Sequence, residues 1–518
     1  MRISEDLILE QNLIIESDAP KVVISAGPGA GKTYTIIKKA TKELSEFEEK
    51  SINKGVVLCS FTREASLELE KRLQANIQSE FTYVGTIDSF VLTDLINPFK
   101  NRILKRMRPG TNIINSKLKI SIPSLDKNLR VNILTKQGVT DYNKKEILEY
   151  YDKWITDLTN GKYEVSFAAY LFAGKALEKV PELQEYFKTR YQSIYIDESQ
   201  DLNDFQIRFI NKVIQFTNVN CFLIGDKRQS IYSFRGARPD LFYSMVDKGF
   251  LELKITHSAR CHYNILEFSR RIVGESNDTN KLVNDKRVTI NFPIIDSLKS
   301  LGSLDDYFIL VETNAEASFM YQKCLENKIE NVIYTKRFEI NSNKDFSDNY
   351  YDICEEIAKF YYNHKNTNPN LTYSIEELSH FLEPLVDASK LKLSKLSIMT
   401  SETSIEYLTK IFNLGGVAIP EEVKNEISMQ LSQEVHKNHY IRMKGINRIM
   451  TIHSAKGLEA TYVFVQFERK SYSINDETRR KLFVAFTRAK ERLVIGFIGD
   501  SLSPIENHIR NCYINTFL

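Results

Sequence analysis

The sequence predicts an α/β protein built on two parallel sheets with helices on both faces, each sheet interrupted by a mainly helical insertion. Three observations carry this prediction. The apolar run Val22-Val23-Ile24-Ser25 breaks into the glycine-rich turn Ala26-Gly27-Pro28-Gly29-Ala30-Gly31 and ends in Lys32-Thr33, the strand, turn and helix order of a phosphate-binding loop. Short β-branched runs alternate with helical periodicity along the chain, as expected of parallel strands covered by helices. The runs also fall into two groups, one before and one after residue 300.

Taken in order, the loop comes first. Its glycines let successive backbone N–H groups converge on phosphate, Lys32 brings a point charge for the β/γ-phosphates, and Thr33 brings a hydroxyl suited to Mg²⁺. The helix that opens at Tyr34 adds the positive end of its dipole. The strict pattern has Gly where Ala26 stands, so the match is imperfect by one residue.

The first group of strands continues with Gly55-Val56-Val57-Leu58-Cys59-Ser60-Phe61, Ser193-Ile194-Tyr195-Ile196-Asp197 and Cys221-Phe222-Leu223-Ile224-Gly225-Asp226. Each ends in polar residues, and ligands of such sheets bind at the carboxyl ends of strands. The second group reads Tyr307-Phe308-Ile309-Leu310-Val311, Arg448-Ile449-Met450-Thr451-Ile452, Tyr462-Val463-Phe464-Val465 and Leu493-Val494-Ile495-Gly496. Polar, helix-rich stretches without strands interrupt the first group over 91–190 and the second over 347–445, which identifies both as insertions.

Composition narrows the partners. A chain of 518 residues has room for several folding units, and 42% hydrophobic residues suffice for their cores. The net charge is only +3, so nucleic-acid contact requires a local basic groove rather than bulk charge. The run Lys100-Asn101-Arg102-Ile103-Leu104-Lys105-Arg106-Met107-Arg108 is one such stretch, with Arg102, Lys105 and Arg106 on one face at helical spacing. Six cysteines with no Cys-x-x-Cys pair argue against a disulfide framework and a structural zinc site. His436 and His439 lie among Lys and Asn, which reads as a solvated surface rather than a ligand pair. The first residues lack the apolar core of a signal peptide, and no apolar run approaches ~18 residues, so a cytoplasmic protein without a membrane partner is expected.

The second chemical element is Asp197-Glu198-Ser199-Gln200-Asp201. Paired carboxylates after a buried strand are costly unless they meet a cation. Downstream of a phosphate loop, Asp197 suits Mg²⁺ and Glu198 suits the attacking water of a nucleotide hydrolase.

With these residues the chain resembles the superfamily-one helicases of the UvrD/PcrA/Rep type. Gln11 stands where that family has its adenine-reading glutamine. Ser60-Phe61-Thr62-Arg63 and Val84-Gly85-Thr86-Ile87-Asp88-Ser89-Phe90 are similar to its first two single-strand-binding motifs. Gly225-Asp226-Lys227-Arg228-Gln229-Ser230-Ile231-Tyr232-Ser233-Phe234-Arg235-Gly236-Ala237, Thr451-Ile452-His453-Ser454-Ala455-Lys456-Gly457-Leu458-Glu459 and Val484-Ala485-Phe486-Thr487-Arg488-Ala489 resemble later blocks, all in the family's order.

The resemblance implies two RecA-like domains: 1A from 1–90 and 191–262, with 91–190 as insertion 1B, and 2A from 263–346 and 446–518, with 347–445 as a reduced 2B. It implies ATP and Mg²⁺ as ligands. The ATP site comprises Gln11, Ala26, Gly27, Pro28, Gly29, Ala30, Gly31, Lys32, Thr33 and Glu459, and Mg²⁺ falls to Thr33 and Asp197. Catalytic roles go to Lys32, Glu198, Gln229, Arg260 and Arg488, the last as an arginine finger. Gln229, just after strand-end Asp226, suits sensing of the γ-phosphate, and Phe234 beside Arg235 offers a ring for sequence-tolerant base stacking. Phe61, Thr62, Thr86 and His453 complete the DNA contacts, with hydroxyl and imidazole groups for phosphate and sugar. One motif departs: Ser258-Ala259-Arg260-Cys261 replaces Asn-Tyr-Arg-Ser, so Ala259 has no ring to stack on adenine.

The function implied is an ATP-dependent translocase or helicase on single-stranded or 3′-tailed DNA, of 3′–5′ polarity. The compact length and the stretch running from Val91 through Pro98-Phe99 are similar to the helicase subunit of the Gabija antiphage system, which implies an OLD-family ATPase-nuclease partner. A stand-alone repair or recombination helicase, and a DNA-end-sensing ATPase with little unwinding, are the alternatives.

Overall fold

The computed structural model describes residues 5–61, 63–74, 81–107, 109–110, 119–120, 144–159, 162–163, 167–231, 233, 236–276, 280–283, 285–290, 294–300, 306–329, 332–335, 421–433, 435–436, 447–468, 474–499 and 503–518. Alternating strands and helices form two six-stranded sheets, and every described strand pair is parallel.

The first sheet holds β1 (Lys21–Ala26), β2 (Gly55–Ser60), β3 (Tyr83–Thr86), β6 (Tyr191–Ile196), β7 (Asn220–Gly225) and β8 (Leu251–Ile255), in the order β3-β2-β6-β7-β1-β8. Its two faces follow the period of two that a strand imposes. Val23, Val57, Cys59, Ile194, Ile196 and Leu223 enter one core, while Val22, Ile24, Val56, Leu58, Tyr195 and Ile224 enter the other. Burial on both faces explains why these strands read as continuous apolar runs. Because β6, β7 and β1 are neighbours, the acid pair, the Asp226 turn and the phosphate loop emerge side by side at one edge.

The second sheet holds β9 (Val288–Ile290), β10 (Tyr307–Val311), β11 (Val332–Tyr334), β12 (Asn447–Thr451), β13 (Ala460–Glu468) and β14 (Ala489–Ile498), in the order β11-β12-β10-β13-β14-β9. Within the two six-stranded sheets, four strands, β3, β8, β9 and β11, escape the sequence reading. All four are edge strands, only 3 to 5 residues long and largely half-buried or exposed, so none shows a continuous apolar run.

The stretch between β3 and β6 departs from the polar insertion expected. Its helices Phe167–Lys179 and Pro181–Arg190 pack Phe172, Leu177 and Phe187 into the largest core, together with Trp154 from Lys144–Thr159. Its polar residues lie on the outer helix faces, so average composition conceals an amphipathic arrangement. It also carries a two-stranded ladder, β4 (Lys119–Ile120) with β5 (Lys162–Tyr163). The helix Asn97–Met107 forms as its spacing predicts, burying Ile103 and Leu104 and exposing Arg102, Lys105 and Arg106. His436 is buried, which corrects the solvated reading; His439 and, apart from 421–433 and 435–436, the stretch 347–445 lie outside the described residues.

Candidate nucleotide site

The phosphate loop owes its shape to two left-handed glycines. Gly31 (φ 75°) begins the helix Lys32–Glu49, and Gly29 (φ 68°) lies so close to the following loop that a Cβ would meet Cβ of Arg260 at 2.2 Å. The backbone of Ala259 donates to the Gly29 carbonyl at 2.9 Å, and Ser258 Oγ to that of Pro28 at 2.7 Å. Ala26 is the last residue of β1 with its methyl in the core, so the one-residue departure from the strict pattern falls where glycine's freedom is not needed. Lys32 Nζ lies 3.5 Å from the carbonyls of both Ala26 and Gly27. Gln11 is buried against the same loop and donates to the Ala30 carbonyl at 2.9 Å.

The carboxylates sit opposite. Thr33 Oγ1 donates to Asp197 Oδ2 at 2.9 Å, which brings together a hydroxyl from a helix start and a carboxylate from a strand end. Burial, reinforced by the adjacent Glu198, pushes the Asp197 carboxyl up to about 6. Glu198 behaves oppositely: burial would raise it, but Lys32, Lys456, the Gln200 amide and Arg488 together hold it below the usual carboxylate range. Its backbone is left-handed (φ 53°), a conformation costing a non-glycine residue about 1–2 kcal/mol. Such strain gathers at functional sites.

Gln200, absent from the catalytic residues the sequence suggests, connects the strand ends. Its amide donates to Glu198, and its carbonyl accepts from the backbone N–H of Asp226 at 3.0 Å. Gly225 permits this approach, since a Cβ there would meet Gln200 Oε1 at 2.4 Å. Asp226 in turn accepts from Arg228 Nε at 2.7 Å and from Gln229 Nε2 at 2.9 Å. Burial opposes its ionisation, but Arg228 and its hydrogen bonds hold the carboxyl below its ordinary value.

The second sheet supplies the cations across the seam. Arg488, 1% exposed, donates to the carbonyls of Val484 (2.9 Å) and Leu458 (3.1 Å) and reaches Gln229 Oε1 at 3.4 Å. Burial, and then the nearby Arg260, pull its guanidinium down to about 9, which leaves it charged at neutral pH. Arg260 is ion-paired with Glu459, which also meets Lys490 Nζ at 3.0 Å. Lys456 pairs with Asp201, and the Arg228 guanidinium lies 5.0 Å from the Phe483 ring centroid. The structure therefore brings Lys32, Thr33, Asp197, Glu198, Gln229, Arg260, Glu459 and Arg488 together around the phosphate loop.

Of the residues suggested for DNA, Phe61 follows β2 and is half-buried, and Thr86 ends β3. Thr86 Oγ1 accepts from Ser89 N–H at 3.2 Å, so it caps the helix Ile87–Phe90. His453 follows β12; burial, then Lys481, lower its pKa and leave it neutral at pH 7. Thr62 and Phe234 lie outside the described residues.

Comparison with known families agrees with this geometry. Residues 8–162 and 124–248 match the UvrD/REP helicase N-terminal domain, and 448–495 match the UvrD-like helicase C-terminal domain. The chain belongs to the UvrD-like helicases. It is therefore an ATP-binding, DNA-binding helicase. Gabija protein GajB of Bacillus cereus is 23% identical over 507 residues, covering 93% of this chain and 94% of that protein. The ATP-dependent DNA helicase PcrA of Staphylococcus aureus is 23% identical, covering 94% of this chain and 82% of its own. PcrA of Staphylococcus epidermidis is 22% identical with the same coverage. No helix among the described residues is long and apolar enough to cross a membrane.

Proposed function

We propose that this UvrD-like helicase hydrolyses ATP at the seam between its sheets and uses the resulting opening and closing to move along single-stranded DNA in the 3′–5′ direction. The carrying observation is that Arg488, rooted in the second sheet, reaches Gln229 at the end of the first, beside Glu198.

Lys32, the backbone of Gly27–Gly31 and the start of the helix Lys32–Glu49 bind the β/γ-phosphates, and Gln11 flanks the base. Thr33 and Asp197 fit Mg²⁺, because a hydroxyl and a buried carboxylate already converge there as hard oxygen donors. The ion, when bound, neutralises charge on the phosphates. Glu198, kept ionised by the surrounding cations, orients the attacking water and accepts its proton as the γ-phosphoryl leaves ADP. Arg260 and Arg488 offset the charge that develops, and Gln229 links Arg488, from across the seam, to Asp226.

In this reading the first sheet is domain 1A and the second 2A, with 91–190 as 1B and 347–445 as a reduced 2B. Phe61, Thr62, Thr86, Phe234 and His453 form the strand track. Similarity to GajB over nearly the whole chain supports a role as the helicase subunit of a Gabija-type defence complex, with an ATPase-nuclease partner in the cytoplasm.

The test is ATP hydrolysis with and without single-stranded DNA, followed by strand displacement on 3′- and 5′-tailed duplexes. Stimulation by DNA, displacement only from the 3′ tail, and loss of both in Lys32→Ala are expected. Displacement from the 5′ tail would overturn the polarity. Stimulation without displacement would favour an end-sensing ATPase.

A further inference from the structure

We infer that Lys456 is a positioning residue: through its buried ion pair with Asp201 it ties the turn that carries His453 to the turn that carries Glu198. The inference rests on the motor reading above, in which Lys456 serves only as one of the cations around Glu198 and Asp201 has no role.

The pair joins the two sheets across 255 residues of sequence, and its side chains are only 11% and 1% exposed. On the first-sheet side, Asp201 closes the short turn Ser199–Asp201 that begins directly after Glu198. Its N–H donates to the Glu198 carbonyl at 3.0 Å, and Ser199 Oγ donates to the Ile196 carbonyl at 2.7 Å. A pull on the Asp201 side chain therefore acts on the backbone of Glu198, which is already held in a left-handed conformation.

On the second-sheet side the turn after β12 is equally constrained. Ala455 N–H donates to the Thr451 carbonyl at 3.1 Å, Lys456 N–H to that of His453 at 3.3 Å, and Leu458 N–H to that of Ala455 at 3.0 Å. Gly457 (φ 85°) supplies the left-handed corner. His453, which the motor reading gives to the strand track, thus stands three residues from Lys456 on one turn, and Lys456 stands three from Glu459; Lys456 meets Asp201 and Glu459 meets Arg260. A displacement at His453 cannot be absorbed by the turn and passes to the ion pair.

Stability alone is a poor reason for this arrangement. A buried ion pair repays its desolvation only when its other hydrogen-bonding capacity is met. Here Asp201 Oδ1 is buried without a hydrogen-bond partner among the described residues. What the pair does provide is a defined register between the sheets.

The test uses the full chain, ATP and an oligothymidine strand. Lys456→Gln and Asp201→Asn should each lower the DNA-stimulated kcat by about tenfold or more, with KM for ATP within about threefold of the parent. Because the two act as one unit, the double variant should be no slower than the slower single variant, and Lys456→Arg should recover most of the rate. Dyes at the exposed positions Ile52 and Leu325, one on each half, should report weaker closure with a non-hydrolysable ATP analogue plus oligothymidine in the single variants. A kcat within twofold of the parent, or losses that multiply in the double variant, would overturn the inference. If Lys456→Gln fails to fold, Lys456→Met and Asp201→Asn carry the same cycle. A parent without DNA-stimulated hydrolysis overturns the motor reading and this inference together, whereas a stimulated parent with unaffected variants overturns the inference alone.

Discussion

The two halves of the nucleotide site are built by different means. On the first sheet, the phosphate loop, Asp197-Glu198 and Asp226 follow three adjacent parallel strands, and Gln200 bonds one strand end to the next. Register and side-chain hydrogen bonds prearrange that half by itself. On the second sheet, Arg488 is anchored to the Val484 and Leu458 carbonyls and its tip meets the first half at Gln229. The lesson is a division of labour. Under the proposed function, one half holds the phosphates and the general base, while the other brings positive charge that counts only when the seam is shut, which would tie chemistry to domain movement.

The largest break in this comparison is Arg488→Ala. Removing a guanidinium that neutralises transition-state charge should lower kcat by about 10³-fold or more. ATP affinity should change far less, because the phosphate loop is intact. Steady-state hydrolysis together with nucleotide binding by fluorescence separates the two, and a parallel collapse of binding would mean that Arg488 holds the ground state.

Glu198→Gln attacks the prearranged half instead. The loss of a general base should cost about 10²–10⁴-fold in kcat while ATP still binds. Preserved hydrolysis would show that the left-handed Glu198 serves the turn rather than the water.

A smaller effect sharpens the electrostatic contrast. Burial leads, and Glu198 adds, in raising Asp201 to about 6 despite its Lys456 partner. The folded state thus holds this proton more tightly than the unfolded chain, whose Asp titrates near 3.9. The contribution to stability is complete below about pH 4 and is lost as pH rises through about 6. Asp201→Asn should therefore gain in melting temperature relative to the parent between pH 4 and pH 7. An unchanged difference across that window would place the Asp201 carboxyl at its ordinary value.

The mildest test concerns the surface. On the helix Asn97–Met107, Arg106 already meets Glu182 at 3.6 Å, whereas Arg102 and Lys105 are exposed. Reversing Arg102 and Lys105 to Glu should weaken single-stranded DNA binding regardless of base sequence and flatten its salt dependence by roughly 0.7 in slope per lost phosphate contact. An unchanged slope would make this face a solvated one.

How much was legible follows from the range of each interaction. The phosphate loop could be read because its chemistry lies within a dozen consecutive residues and its conformation depends on where glycine stands. The buried central strands announced themselves as apolar runs, while β3, β8, β9 and β11 did not, since an edge strand needs no such run. The insertion after β3 looked polar on average, yet Trp154, Phe172 and Phe187 face the core from its helices.

The sequence by itself determined the two-sheet α/β plan, the order of the site blocks and the residue types at each strand end, because propensity, periodicity and local turn chemistry act over a few neighbouring residues. Only the tertiary structure decided that Gln200 would bond the backbone of Asp226 and that Lys456 would find Asp201. The first pairing depends on which strand ends lie side by side in one sheet and the second on which atoms meet when two sheets close on one another, and no local pattern encodes a contact between groups 255 residues apart.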